Sequence, residues 1–203
     1  MTNTLRPNHY EALTTEARAT DATTLFGFWV YLMTDFVLFA SLFAVYAVLR
    51  GNTFEGPAGS QLFDLPFVLI ETILLLTSSF TYGLALLAAR AGSRNYTITA
   101  LALTAILGLS FVVMEISEFI RLIGAGSGPA RSGFLSSYFA LVGTHGLHVA
   151  LGLVWMIVLM IALMRRGFTR PTMRKLMLLG MFWHFLDIIW IFIFTIVYLM
   201  GAT

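Results

Sequence analysis

Trp183-His184-Phe185-Leu186-Asp187-Ile188-Ile189-Trp190 sets a histidine and an aspartate three residues apart inside an apolar run spanning 176–200. A helix carries both side chains on one face. The same pattern recurs upstream, where Asp35, Glu71, Glu115, Glu118, His145 and His148 also sit inside long apolar runs. Together these eight residues include five of the ten acidic residues and three of the four histidines, whereas Lys and Arg stand at run ends and in loops. Even on the gentler scales an ionisable group at bilayer depth costs roughly 3 kcal/mol, so it is kept where it meets protein, a partner or trapped water. The pattern reads as a membrane protein with a polar seam.

Composition agrees. A chain of 203 residues with 59% apolar content and a mean hydropathy of +0.87 has more apolar surface than one small core can hide. Cysteine is absent, which excludes disulfides, iron–sulfur clusters, thiolate-ligated haem and cysteine-bridged copper. The pI near 9.2 does not point to nucleic acid, because the basic residues cluster in short loops. Before Leu25 the sequence is polar and mixed in charge, without the pattern of a cleavable signal peptide.

Five apolar runs, approximately 25–49, 65–89, 97–121, 135–163 and 176–200, follow a polar tail of residues 1–24. Each makes about 37 Å of helix at 1.5 Å per residue. That exceeds a hydrocarbon core of about 30 Å. The expectation is an all-α, polytopic bundle of five transmembrane helices over 25–203. Arg50-Gly51-Asn52 with Gly56-Pro57 ends the first run, Pro66 opens the second, and Ala91-Gly92-Ser93 closes it. Nine of the twelve Lys and Arg residues fall on one side, in the amino-terminal tail, the second loop and the fourth loop. This places the N-terminus in the cytoplasm and the C-terminus on the periplasmic side.

Depth along the helices sorts the ionisable groups. Asp35 is about 15 Å from the cytoplasmic edge, and Asp187, His184, His145 and His148 fall at similar depth or near the midplane. Glu71, Glu115 and Glu118 fall in the outer half. We therefore expect a midplane polar cluster and a separate outer carboxylate group. His145 with His148, and Glu115 with Glu118, each share a helix face. Gly143, Gly146 and Ala150 form a small-residue stripe roughly opposite the histidines, so both sides of that helix should meet protein. Glu118 is three residues from Arg121, the spacing of an ion pair. Trp183 and Trp190 flank Asp187, where indole N–H groups serve either to satisfy the carboxylate or simply to pack.

The polar groups do not spell a catalytic site. Three intramembrane histidines are too few for a haem–copper centre with its second haem, and Glu115-Ile-Ser-Glu118 lacks the Glu-x-x-His repeat of di-iron bundles. No Ser–His–Asp set, phosphate loop or zinc spacing occurs. Five helices do not divide into two inverted repeats, which argues against a secondary transporter. Two readings stay open: a proton relay, or hydrogen bonding across helices in place of contacts that lipid cannot offer. Either suits an accessory subunit of a larger machine. A stand-alone membrane metalloenzyme or a proton-coupled transporter is the alternative of another class.

Four strings carry a family resemblance. Val142-Gly143-Thr144-His145-Gly146-Leu147-His148-Val149 followed by Leu151-Gly152, and Trp183 to Trp190, resemble the "HGLHV…G" and "WHFVDVVW" segments of subunit III of haem–copper terminal oxidases. Phe26 to Asp35 resembles the helix of that family in which cytochrome c oxidases usually carry a glutamate where Asp35 stands. Met114-Glu115-Ile116-Ser117-Glu118-Phe119 is similar to its "QASEY" helix, with Glu118 at the family glutamate. The resemblance covers 25–203. Five crossings instead of seven, with Leu65 to Thr72 and Arg131 to Ser136, bring it nearest the bo-type ubiquinol-oxidising branch; subunit III of a cytochrome c oxidase is the alternative.

The resemblance implies an accessory, non-redox subunit of a proton-pumping terminal oxidase in a bacterial inner membrane. It implies that two haems and copper lie in subunit I, that this chain binds no cofactor or metal, and that ubiquinol is the substrate of the complex. Oxidase subunits I, II and IV and phospholipid are the implied partners. It further implies a lipid cleft between the first two helices and the rest, stabilisation of subunit I over many turnovers, and support of proton uptake. Aspartate is shorter than glutamate, and how readily Asp35 exchanges a proton depends on its burial.

Overall fold

A computed structural model describes residues 9–53 and 62–202, and all regular structure among them is helical. Arg6 and Gly56-Pro57, used above for charge and loop assignment, lie outside the described residues. Five long helices follow in order: α1 (His9–Leu49), α2 (Leu65–Arg90), α3 (Arg94–Gly124), α4 (Gly133–Arg166) and α5 (Arg170–Ile193). The last continues through a π-helical segment, Phe194–Leu199, and a final turn, Met200–Ala202. Each of the five includes a stretch long and apolar enough to cross a membrane. α1 starts well before its apolar stretch, because nothing between His9 and Leu25 is a proline or glycine that would interrupt it.

The helix starts are capped as their sequences dictate. Phe67 N–H donates to the Asp64 carboxylate at 3.4 Å, with Pro66 in the first turn where a missing N–H does no harm. Ser132 and Thr169 accept likewise from Leu135 N–H, 3.2 Å, and Thr172 N–H, 3.3 Å. Gly92, with φ +74°, turns the chain from α2 into α3 in a conformation that a side chain would strain. The Arg94 guanidinium donates to the Met164 carbonyl and so ties the start of α3 to the end of α4.

α2 and α3 form an antiparallel hairpin, α4 packs on α3, and α5 is wedged among α1, α2 and α4. α1 leans on α4 and α5 through one stripe, Leu32, Asp35, Phe39 and Tyr46, while Phe26, Val37 and Val48 point outward. The helices implied to form one wall of a lipid cleft, α1 and α2, each pack on α5, and a groove runs along α5 beside each of them. The bundle is apolar outside, and its ionisable groups lie inside, within a largely apolar core. Phe80, Ile106 and Ile120 are exposed, whereas Glu71, Glu118 and His145 are wholly or almost wholly enclosed.

Trp183 shows how closely the helices approach. Its ring lies in a slot between α3 and α4 that exists because Gly108 and Gly152 have no side chains. A Cβ at Gly108 would come within 2.8 Å of the ring, and one at Gly152 within 3.0 Å. Small residues at helix interfaces let backbones approach where no hydrophobic effect drives association.

Candidate functional site: the polar interior of the bundle

The structure distributes the eight ionisable residues over three places. Asp35 on α1 is buried, and its Oδ2 lies 4.0 Å from Nε2 of His148 on α4. The opposite ring nitrogen, Nδ1, donates to the Thr144 carbonyl at 2.7 Å, so Nε2 is the nitrogen that faces the carboxylate. One turn before, His145 is completely enclosed. Its Nε2 donates to the Leu186 carbonyl at 3.2 Å, and its ring packs against Trp190 and Phe111. These contacts join α1, α4 and α5 near mid-depth.

His184 and Asp187 form a second group on another face of α5. The Ser79 hydroxyl on α2 is 2.6 Å from His184 Nδ1 and also lies against the Asp187 carboxyl. His184 is exposed and forms the ridge between two grooves. One groove, about 420 Å³, runs between α1 and α5 past Trp29, Phe36, Met181 and Ile188. The other, about 450 Å³, runs between α2 and α5 past Leu76, Phe80, Leu84 and Asp187. The five residues expected at mid-depth thus form an Asp35–His148 pair with His145 beside it, and a separate Ser79–His184–Asp187 group.

The half of the bundle toward the α3–α4 loop holds the third place. Glu71 on α2 and Glu115 and Glu118 on α3 are buried and lie close enough to interact through space. Tyr198, from the π-helical segment of α5, places its hydroxyl 2.9 Å from Glu118 Oε2 and 2.9 Å from the Tyr138 hydroxyl on α4. Tyr138 is itself 3.2 Å from the same oxygen. Two hydroxyl hydrogens serve three contacts, and the shorter pair reads as a relay from Tyr138 through Tyr198 to Glu118. The other Glu118 oxygen lies 3.8 Å from Arg121, which is half exposed, so the ion pair expected from their spacing is present. Glu115 lies against α4 at Gly146, where an added Cβ would fall 2.6 Å from its carboxyl carbon. The small-residue stripe on α4 therefore seats an acid as well as a helix.

Several of these contacts were not visible in the sequence. The indoles of Trp183 and Trp190 do not serve Asp187. They donate to hydroxyls on α2, Trp183 Nε1 to Ser78 at 3.1 Å and Trp190 Nε1 to Thr72 at 3.0 Å. A possible signal was the hydroxyl stripe of α2, where Thr72, Ser78, Ser79 and Thr81 lie buried in an otherwise apolar helix. Tyr138 and Tyr198 were also missed. Both sit in aromatic-rich stretches, where a tyrosine reads as packing unless a carboxylate is known to face it.

The family profile described as cytochrome c oxidase subunit III matches residues 9–202. This chain belongs to that family. A cytochrome bo(3) ubiquinol oxidase subunit 3 of Pseudomonas aeruginosa is 58% identical over 179 residues, covering 88% of this chain and 86% of the relative. The protein of the same description from Buchnera aphidicola is 46% identical over 177 residues, 87% of this chain and 91% of that one. A quinol oxidase subunit 3 of Bacillus subtilis is 44% identical over 177 residues, 87% of each. Five apolar crossings and bacterial relatives of this kind make this subunit III protein a multi-pass protein of the bacterial inner membrane. Among the described residues, no group of three or more His, Asp or Glu side chains is arranged to hold a metal ion.

Proposed function

We propose that this chain is the accessory, non-redox subunit III of a bacterial ubiquinol oxidase. In the complex, quinol is oxidised and oxygen reduced to water, with protons moved outward. The observation that carries the reading is the construction of the interior. Most of its polar groups meet tyrosine and serine hydroxyls, backbone carbonyls and one another across helices, as in a scaffold, and they are not gathered toward one reacting centre. The names of the relatives favour quinol over cytochrome c as electron donor.

In this reading subunit I holds the two haems and copper, and this chain packs beside it in company with subunits II and IV. The N-terminus is cytoplasmic and the C-terminus periplasmic, as the basic fourth loop favours. Phospholipid acyl chains occupy the groove between α1 and α5, whose lining is almost wholly apolar. The Asp35–His148 pair supports proton delivery to the complex, because a carboxylate and an imidazole at mid-depth are suited to exchange a proton.

The test is removal of this chain from the oxidase. The expected result is unchanged haem content, a shorter functional lifetime during turnover, and weaker proton pumping. Unchanged pumping and lifetime would refute the role. Replacing Asp35 by asparagine in the intact complex separates the parts, since a purely structural residue would alter stability without altering the pH profile of turnover. The donor is decided by which haem-bearing subunit co-purifies and whether quinol or cytochrome c reduces it. Metal bound by this polypeptide purified alone, or ion uptake by it alone in vesicles, would favour the stand-alone enzyme or transporter.

A further inference from the structure

We propose that the outer carboxyl group is a proton-binding site in which Glu71 and Glu115 each hold a proton while Glu118 alone is ionised. Glu71 is 0% exposed and Glu115 3%. None of their four carboxyl oxygens has a hydrogen-bond partner among the described residues, and the two lie within electrostatic reach of each other. Carboxylates so enclosed lack the protein donors that an ionised carboxylate needs, and they repel each other.

The donors around them are committed elsewhere. On α1, the Tyr46 hydroxyl donates to the Val197 carbonyl. On α2, Thr72 and Ser78 donate to the carbonyls of Val68 and Leu75, and Asp64 at the cap is an acceptor. On α4, His145 donates to Leu186, and Tyr138 joins Tyr198 of α5 and Glu118. Trp190 donates to Thr72. On α3, the cation beside the group, Arg121, faces the far oxygen of Glu118. Glu118 thus has the Tyr198 hydroxyl and, 3.8 Å away, a guanidinium to hold its charge, and the carboxyls of Glu71 and Glu115 have neither. A proton on each of these two supplies the missing donor and removes the repulsion.

The site has a route for exchange. Glu118 reaches outer water through Arg121, whose side chain is 54% exposed. Bound protons should therefore exchange with solvent without unfolding of the bundle. The assignment concerns carboxyls of this chain alone and does not depend on the electron donor of the complex.

Infrared spectroscopy of the purified oxidase containing this chain tests it. Glu71→Gln and Glu115→Gln should each remove one component of the protonated-carboxyl stretch, and Glu118→Gln should remove none. The two components should shift in the wild-type complex in heavy water. Loss of neither component in the Gln variants, or loss only in Glu118→Gln, would overturn the assignment. A second readout covers assembly. Glutamine matches a neutral glutamic acid in size, so Glu71→Gln and Glu115→Gln should assemble and melt like wild type, whereas Glu118→Gln should melt lower. Failure of the first two to assemble, or melting as low as Glu118→Gln, would also overturn it.

Discussion

Replacing Gly108 by alanine tests the central packing of the bundle. The new Cβ would lie 2.8 Å from Trp183 Cζ2 and 2.9 Å from Cη2, with Leu153 Cδ2 at 3.1 Å. The indole has little room to retreat. Its far edge already rests on Gly152, and its Nε1 is tied to Ser78 on α2 at 3.1 Å. Overpacking of this kind costs about 1–3 kcal/mol. Trp183→Phe removes the two ring atoms that would clash, at the loss of packing worth on the order of 2 kcal/mol and of one interhelical hydrogen bond worth about 0.6 kcal/mol in a membrane. In that background, alanine at 108 fills part of the vacated volume. The double variant should therefore be more stable than the sum of the singles predicts, by roughly 1–2 kcal/mol, within the range seen for residues in contact. The assay is the apparent melting temperature of the purified complex at one fixed scan rate, since unfolding of such assemblies is commonly irreversible. At about 2–4 °C per kcal/mol for a chain of this size, the non-additivity amounts to a few degrees. An equal effect of Gly108→Ala in both backgrounds would refute the slot.

Tyr198→Phe removes the hydroxyl that joins Tyr138 to Glu118 and should lower stability by about 1–2 kcal/mol; adding Tyr138→Phe should cost less than it does alone, and full additivity in melting temperature would speak against a shared relay. Gly180→Ala brings a Cβ to 2.8 Å from Tyr82 Cε1, a ring fixed by its own hydroxyl on the Leu176 carbonyl at 2.7 Å. It should cost about 1–3 kcal/mol, and Tyr82→Leu in the same chain should relieve most of the loss in thermal melts. Trp190→Phe and Thr72→Val each break one bond between α5 and α2, so the pair together should lose barely more hydrogen-bond energy than either alone, about 0.6 kcal/mol. Because the chain has no cysteine, single cysteines at the exposed positions Arg170 and Ala130 can report orientation. An impermeant thiol reagent should label the first only from the cytoplasmic face and the second only from outside, and the reverse pattern would invert the topology.

Depth was legible in the sequence and azimuth only in part. Five crossings follow from apolar length measured against bilayer thickness, a one-dimensional comparison that tertiary contacts hardly alter. The same arithmetic separated Glu71, Glu115 and Glu118 from the deeper acids and histidines. The i,i+3 spacing also foretold the Glu118–Arg121 pair. Which residues at one depth meet each other was a different matter. Asp35 and His184 were expected in one cluster, yet Asp35 faces His148 on α4, and His184 faces Ser79 on α2. α5 carries His145's acceptor on one face and His184 on another, so its rotation within the bundle decides the grouping. Similarly, the two indoles found hydroxyls on α2 because that helix, rather than one bearing a carboxylate, packs along their stripe.

The residues by themselves determined that the chain crosses a membrane five times, where each crossing lies, and which charged groups are carried into hydrocarbon. Those outcomes depend on transfer energies and helix rise, which each segment possesses alone. Only tertiary structure decided what those groups touch: that Gly108 and Gly152 receive an indole, that a π-helical segment brings Tyr198 to Glu118, and that Glu71 and Glu115 are enclosed with no donor on their carboxyls. These depend on the rotation and close approach of helices far apart in sequence. A hydrogen bond or clash has a range of a few ångströms, so a small change in crossing angle redirects it.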